Sequence, residues 1–466
     1  MKPNIFLIVI DSFNAEKFLG SKKTSITPTI DKLIENGTYF SQAIAVAPTT
    51  VPAVSSIFTG LYPSLSITKN GKILKINDNI KNYVDKLREE GYHTHALVPK
   101  ILKLVNLETI FKENVIEFDS FSTLYDGVGD QILTKLDFDF KEPWFCYVHL
   151  MDLHGEATFH LSEWPKKFEN RHYGENRYER MVSSLDFWLE KIIKKINLED
   201  TIIVLTADHG SFAAYYDQDM EIQNDLSNKK RETSESISYK IGHKIFTNLP
   251  NAFNPLRKSV SEKYIERRNK KIDSEIQNQI KETNFDELRP YEKRLLENSI
   301  KPTAKLFDEI CRIPLLFSGY KIPKNIKISS QVKNSDIFPT LFDLIGLNNE
   351  ITSFGQNLTP LINGNSIKES DVFIQSITNS DEESVVGIRT EYFKYFRKIN
   401  DPDGSAMLFD LKNDPHEEIN LINRKKDLVE KFEHKLTEFL KQMSPQNPNL
   451  TEDDEVEAEL KKLGYL

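Results

Sequence analysis

Cysteine is almost missing from this chain: Cys146 and Cys311 are the only two in 466 residues. Each lies inside an apolar run, where such residues are ordinarily small buried hydrophobes, so no disulfide is expected. Long hydrophobic runs are missing as well. No segment approaches the roughly 20 apolar residues that a membrane span needs. The amino-terminal run Ile5–Ile10 is too short for the apolar region of a signal peptide, and Asp11 cuts it off. A cytoplasmic location is the default expectation. Positive charge is in deficit too: a net charge of -9 argues against general nucleic-acid binding. No internal repeat is found. What remains is an ordinary globular composition, with 39% hydrophobic and 28% charged residues, too apolar for a disordered chain. The length exceeds one ordinary core, so a large domain and a smaller one are expected.

Residues 4–10 form a continuous β-branched and aromatic run without polar alternation, which predicts a strand buried on both faces. Thr27-Pro28 opens a helix carrying Ile30, Leu33 and Ile34, and Asn36-Gly37 closes it. A strand over 38–47 leads to Thr50, in a loop that opens a helix near Pro52. Strands are predicted at 93–98, 115–118, 144–150 and 201–206, with helices at 78–90, 120–137 and 175–197 between them. This alternation predicts an α/β fold, a mostly parallel sheet sandwiched by helices. Residues 219–300 are rich in Lys, Glu, Asn and Arg and read as a helical insertion or lid, or as a merely solvated insertion. Core structure resumes with a strand at 311–317 and a helix at 335–346. Short strands at 372–375, 384–389 and 392–396, then a helix at 424–442, predict a smaller C-terminal α+β domain. The expected division is a catalytic domain over 1–369, the small domain over 370–443 and a polar tail over 444–466.

In parallel sheets ligands bind beyond the carboxyl ends of the strands. Asp11 and the Asp208-His209-Gly210 triplet fall at two such ends, and Thr50 at the start of a helix. Two carboxylates, an imidazole and a hydroxyl suit a divalent cation bound beside a nucleophile. An oxyanion ester repels a nucleophile, and a cation offsets that charge while acidifying a bound hydroxyl. Asp-His-Gly alone could be a simple turn, and Thr-x-Pro a simple helix start. Both together with Asp11 point to a site.

The same residues resemble the sulfatase family of the alkaline-phosphatase superfamily over nearly the whole chain. Matching pieces run in order: Pro3-Asn4-Ile5 through Asp11-Ser12, Thr27-Pro28-Thr29-Ile30, and Thr50-Val51-Pro52 through Thr59-Gly60-Leu61-Tyr62-Pro63. Thr206-Ala207-Asp208-His209-Gly210, Arg312-Ile313-Pro314, Asp336-Ile337-Phe338-Pro339-Thr340, Leu408-Phe409-Asp410-Leu411 and Asn413-Asp414-Pro415 follow. The resemblance implies a metal held by Asp11, Thr50, Asp208 and His209, with Thr50 as nucleophile. Manganese, zinc, magnesium and calcium all suit such donors. One ion is expected; a second, held by Asp152, His154 and His243, is the less favoured variant.

Departures from the family pattern shape the expected reaction. Sulfatases of this family convert a Cys or Ser to formylglycine in a motif of nucleophile, any residue, Pro, any residue, Arg. Here Thr50 fills the first place and Val54 the last. A threonine cannot become that aldehyde, whereas superfamily phosphodiesterases, phosphonate hydrolases and phosphotransferases use threonine. The expectation is therefore a phosphate- or phosphonate-ester hydrolase or transferase working through a covalent phosphothreonine. A sulfate-ester hydrolase without formylglycine, and a silent member binding an anionic glycan or lipid head group, are the alternatives. Ser12 stands where many sulfatases place another metal-binding Asp, which leaves four protein ligands. The resemblance further implies His154 as leaving-group acid or substrate contact and Lys100 as an oxyanion contact, although a surface lysine is the plain alternative. His149, inside a strand, reads as a core or supporting histidine. His243 resembles the family's histidine after Asp-His-Gly. The family's lysine before Arg-Val-Pro falls on Thr303, between Lys301 and Lys305, and Lys305 is carried with His243 as substrate-binding. The partner is an anionic ester.

Overall fold

The computed structural model describes residues 2–70, 73–120, 122–137, 140–154, 164–212, 288–294, 306–377, 384–402 and 404–443. Most of the expected 219–300 insertion and the whole 444–466 tail lie outside the described residues. The chain divides into two compact units, Met1–Ala214 with Ala304–Leu466, and Tyr215–Thr303. The candidate site belongs to the first. Among the described residues no helix is long and apolar enough to cross a membrane.

The strands of the first unit run β1 (Asn4–Ile10), β2 (Gly37–Ile44), β3 (Ile67–Asn70), β4 (Ile73–Ile76), β5 (His93–Pro99), β6 (Val115–Phe118), β7 (Trp144–Leu150) and β8 (Thr201–Ala207). They continue as β9 (Arg312–Gly319), β10 (Ile326–Ile328), β11 (Val332–Lys333), β12 (Val372–Ser376), β13 (Val385–Arg389), β14 (Phe393–Lys398) and β15 (Met407–Asp410). The core sheet has the order β10-β2-β9-β8-β1-β7-β5-β6, with β11 beside β2. β1, β7 and β8 are buried along their whole length, as their uninterrupted apolar runs require. All neighbours are parallel except β9, which runs against both β2 and β8. The sheet is thus mostly parallel, as expected, with one reversed strand. β3 and β4 form a separate two-stranded hairpin, which is not among the expected elements.

Helices cover the sheet through specific caps as well as apolar faces. The helix Arg177–Ile193 buries Met181, Val182, Leu185 and Leu189. Its Asp186 accepts hydrogen bonds from the backbone N–H groups of Thr29 (3.0 Å) and Ile30 (2.8 Å), capping the helix Pro28–Glu35. Those two donors are orphans at any helix start, so a neighbouring carboxylate is a natural partner. Cys146 and Cys311 are free and buried, and burial pushes both thiols up to about 12. Neither is a nucleophile.

A smaller, fully antiparallel sheet, β12-β13-β14-β15, lies in the C-terminal part of this unit. The helix Lys426–Gln442 covers it with Phe432, Leu436 and Phe439; Phe439 stacks on Phe373 with ring centroids 3.8 Å apart. A buried ion cluster joins the two sheets. The Asp308 carboxylate takes Arg389 Nε (3.0 Å) and Nη2 (2.8 Å) and pairs with Lys394. Burial alone would raise the Asp308 carboxyl, but Arg389 and Lys394 outweigh it and hold it below the usual carboxylate range. A carboxyl lowered by folding adds stability above its unfolded pKa of about 3.9, and that contribution declines as pH falls below this value. In thermal melts, the advantage of wild type over Asp308→Asn should therefore shrink below about pH 4. A gap independent of pH would count against a charged Asp308.

Candidate active site

Register brings the first candidate ligands together. Ile10 pairs with Leu150 on one side and with Ala207 on the other, so Asp11 and Asp208 leave the sheet edge at the same level. Both are fully buried. Ser12, the next residue, has φ 61, a left-handed conformation that costs a non-glycine residue energy. That bend turns Ser12 into a bracket between the two carboxylates. Its Oγ donates to Asp11 Oδ1 (2.6 Å), and its backbone N–H donates to Asp208 Oδ1 (3.2 Å). Tyr178, at the start of the Arg177–Ile193 helix, secures the turn by donating to the Ser12 carbonyl (2.8 Å). This anchor carried no sequence signal.

Thr50 is the first residue of the helix Thr50–Thr59, after extended Thr49. The helix thus begins two residues before Pro52, which a first turn tolerates because its N–H groups lack intrahelical partners. Every residue of this helix is buried, including Val54 at the position of the family arginine. Thr50 Oγ1 donates to Asp11 Oδ2 at 3.0 Å and stands 3.3 Å from His209 Nε2. His209 Nδ1–H donates to the Gly210 carbonyl at 2.8 Å, which turns Nε2 toward the threonine. Asp208 Oδ1 also accepts from the His209 backbone N–H at 2.7 Å, while Oδ2 is buried with no hydrogen-bond partner.

The electrostatics suit a divalent cation. One ligand atom each from Asp11, Asp208 and His209 lies within 4.8 Å of the others. Burial and the Asp11 charge raise the Asp208 carboxyl, with His209 and His149 opposing. Burial would also raise Asp11, but the imidazoles of His154, His149 and His209 hold it below the usual range. Burial opposes a charge on His209, yet Asp208 and Asp11 raise its pKa. Two buried carboxylates, one with an unbonded oxygen, are the arrangement a divalent cation relieves. Among the described residues this is the cluster of such groups close enough to share an ion.

The remaining candidates fall differently. His149 is fully buried, with the Tyr147 hydroxyl 2.7 Å from Nδ1 and Nε2 3.8 Å from Asp11 Oδ2, a supporting position as expected. His154 lies just beyond β7 on the same sheet edge and is buried. Lys100 follows β5 on that edge and is half-buried. Asp152 does not join the cluster: its carboxylate accepts from the Leu124 N–H at 3.2 Å, and burial raises it to about 7. His243, Lys301, Thr303 and Lys305 lie outside the described residues.

Comparison with known proteins decides the family. Residues 3–347 match the Sulfatase family model, and residues 303–446 match the model for N-sulphoglucosamine sulphohydrolase, C-terminal. The chain belongs to the sulfatase family. Relatives include the protein named Sulfatase of Formosa agariphila, 23% identical over 97% of this chain and 88% of its own. Delta 4,5-hexuronate-2-O-sulfatase of Bacteroides thetaiotaomicron is 21% identical over 90% of this chain and 84% of its own. A solved structure of a 2-O GAG sulfatase matches with TM-score 0.63 at 15% identity, over 95% of this chain and 93% of that one, which shows the shared fold.

This sulfatase is a hydrolase of the alkaline-phosphatase superfamily whose substrate is an anionic ester. The family match overturns the phosphate- and phosphonate-ester chemistry expected from Thr50, including phosphodiesterase and phosphotransferase activity. The error has a physical source. A hydroxyl attacks sulfur as readily in principle as phosphorus, so the nucleophile's identity does not select the oxyanion. The same match removes the ground for manganese or zinc in particular and for a cytoplasmic placement.

Proposed function

We propose that this sulfatase hydrolyses a sulfate ester on a saccharide, with Thr50 as nucleophile and without formylglycine. The observation that carries this reading is the seat of Thr50 Oγ1, 3.0 Å from Asp11 Oδ2 and 3.3 Å from His209 Nε2. Asp11, Asp208, His209 and Thr50 would hold one divalent cation, which when bound neutralises the carboxylates and the ester's charge. Asp11 orients the threonine hydroxyl. Oγ1 passes its proton to Asp11 Oδ2 as it bonds to sulfur, and the ester oxygen departs with a proton from His154. Water then gives a proton to His154 and attacks sulfur; Oγ1 leaves with the proton held by Asp11, restoring the hydroxyl, and sulfate is released. Lys100, with His243 and Lys305, would contact the sulfate oxygens. Sulfated saccharides are favoured because relatives of this chain include a hexuronate-2-O-sulfatase and an ulvan-active sulfatase.

The test is a panel of aryl sulfates and sulfated disaccharides with calcium or magnesium, followed by peptide mass spectrometry after rapid quenching. The expected result is released sulfate with a sulfuryl adduct on the Thr50 peptide. Sulfate without any adduct would shift attack to water; no sulfate from any ester would sink the hydrolase reading.

A further inference from the structure

Three consecutive backbone carbonyls support the three segments that carry the site. The Glu309 carbonyl accepts from Asn14 Nδ2 (2.9 Å), in the turn after Asp11. The Ile310 carbonyl accepts from the Gly210 N–H (2.6 Å), next to His209. The Cys311 carbonyl accepts from the Ala45 N–H (2.8 Å), on the segment leading from β2 to Thr50. The approach at Gly210 is so close that a Cβ there would stand 2.3 Å from the Glu309 oxygen, so this position takes only glycine.

The helix Asp308–Cys311 has only four residues and cannot hold itself in place. Its first residue anchors it. Besides the Arg389 fork and Lys394, the Asp308 backbone N–H donates to Glu417 Oε2 (2.7 Å), and Lys394 Nζ lies 3.0 Å from Glu417 Oε1. Arg389 and Lys394 come from β13 and β14. Glu417 follows β15 with φ 52, a strained conformation for a side chain of its size. Arg389 also donates to Gln331 Oε1 (2.6 Å) and to Gln42 Oε1 (2.7 Å) of β2. Stability alone does not call for these buried charges, since an apolar joint of equal volume is often as stable. What the charges add is direction, because a guanidinium fork satisfies a carboxylate in few orientations.

We propose that Asp308–Cys311 is a positioning turn, through which the C-terminal sheet sets the mutual placement of Asp11, Thr50, Asp208 and His209. Asp308, Arg389, Lys394 and Glu417 then act as positioning residues for sulfate-ester hydrolysis, through the backbone and without touching substrate. This rests on the site reading given under Proposed function.

The test compares Asp308→Asn with Glu433→Gln in the full chain. Glu433→Gln weakens another ion pair of the same sheet, with Arg397 (2.6 Å), away from the positioning turn. Asp308→Asn should lower kcat on an aryl sulfate and calcium or magnesium affinity by calorimetry, each about 10- to 100-fold, with KM little moved. It should also speed amide hydrogen exchange at Gly210 and Ala45, a readout needing neither cation nor substrate. The control should do none of this at comparable loss of thermal stability. If the two variants match in exchange and cation affinity, the proposal is overturned. Should Asp308→Asn fail to fold, Glu417→Gln carries the same comparison, since it keeps an acceptor for the Asp308 N–H and loses the charge facing Lys394. A wild type that binds a cation yet hydrolyses no sulfate ester refutes the hydrolase reading and leaves the positioning result standing.

Discussion

Thr50→Ala is expected to lower kcat/KM for a sulfate ester by at least about 10³-fold, because it removes the attacking oxygen itself. Thr50→Ser keeps that oxygen and should retain most activity. The loss in Thr50→Ala should appear in kcat, since the methyl-sized change leaves the substrate's charge contacts in place. The fold should survive: Thr50 starts a helix whose first turn is held by the Ala53 N–H to Thr49 carbonyl bond at 3.1 Å, which the substitution does not touch. Steady-state kinetics with melting curves separate the two effects. Activity in Thr50→Ala near wild type would show that water, not threonine, attacks.

Asp208→Asn should be nearly as damaging to turnover while leaving the metal-free protein intact. The asparagine carbonyl can still accept from the Ser12 and His209 N–H groups, as Asp208 Oδ1 does at 3.2 and 2.7 Å. Its amide replaces Oδ2, which has no hydrogen-bond partner, and the repulsion between Asp208 and Asp11 is relieved. The metal-free melting temperature should therefore equal or exceed that of wild type. The stabilisation by added cation should disappear. For a wild type at a cation concentration a hundredfold above Kd, that stabilisation is about 2.7 kcal/mol. Melting curves with and without calcium or magnesium read it directly. A variant still stabilised like wild type would remove Asp208 from the ligand set.

Much of the fold was legible because local patterns and tertiary roles agree. The run Ile5–Ile10 has no polar face, and it occupies the middle of the sheet, covered on both sides. Thr27-Pro28 starts a helix at Pro28, where the missing N–H costs nothing. The hairpin of β3 and β4, paired from Ile67 with Ile76 to Asn70 with Ile73, is not among the expected elements, because its strands are only four residues long and too short for a clear period. The reversal of β9 had no local signal. Its run of apolar residues looks the same whichever way it points, and direction is set by a connection through more than local sequence.

For the site, residue types and their strand-end positions were sufficient to gather Asp11, Thr50, Asp208 and His209 as candidates, because parallel sheets place strand ends on one edge. Ser12 stands outside that set, and its part in the site had no sequence signal. Its left-handed backbone and its bonds to both carboxylates exist only once Asp11 and Asp208 stand side by side. By itself, then, the sequence determined the α/β class and singled out the candidate site residues, which rest on periodicity and on functional groups. Tertiary structure alone decided the spacing of Thr50 Oγ1 from its partners, the Ser12 bracket, and the tie from Asp308 to the C-terminal sheet. Those depend on register and on contacts between residues hundreds of positions apart, such as Asn14 with Glu309, which no local pattern encodes.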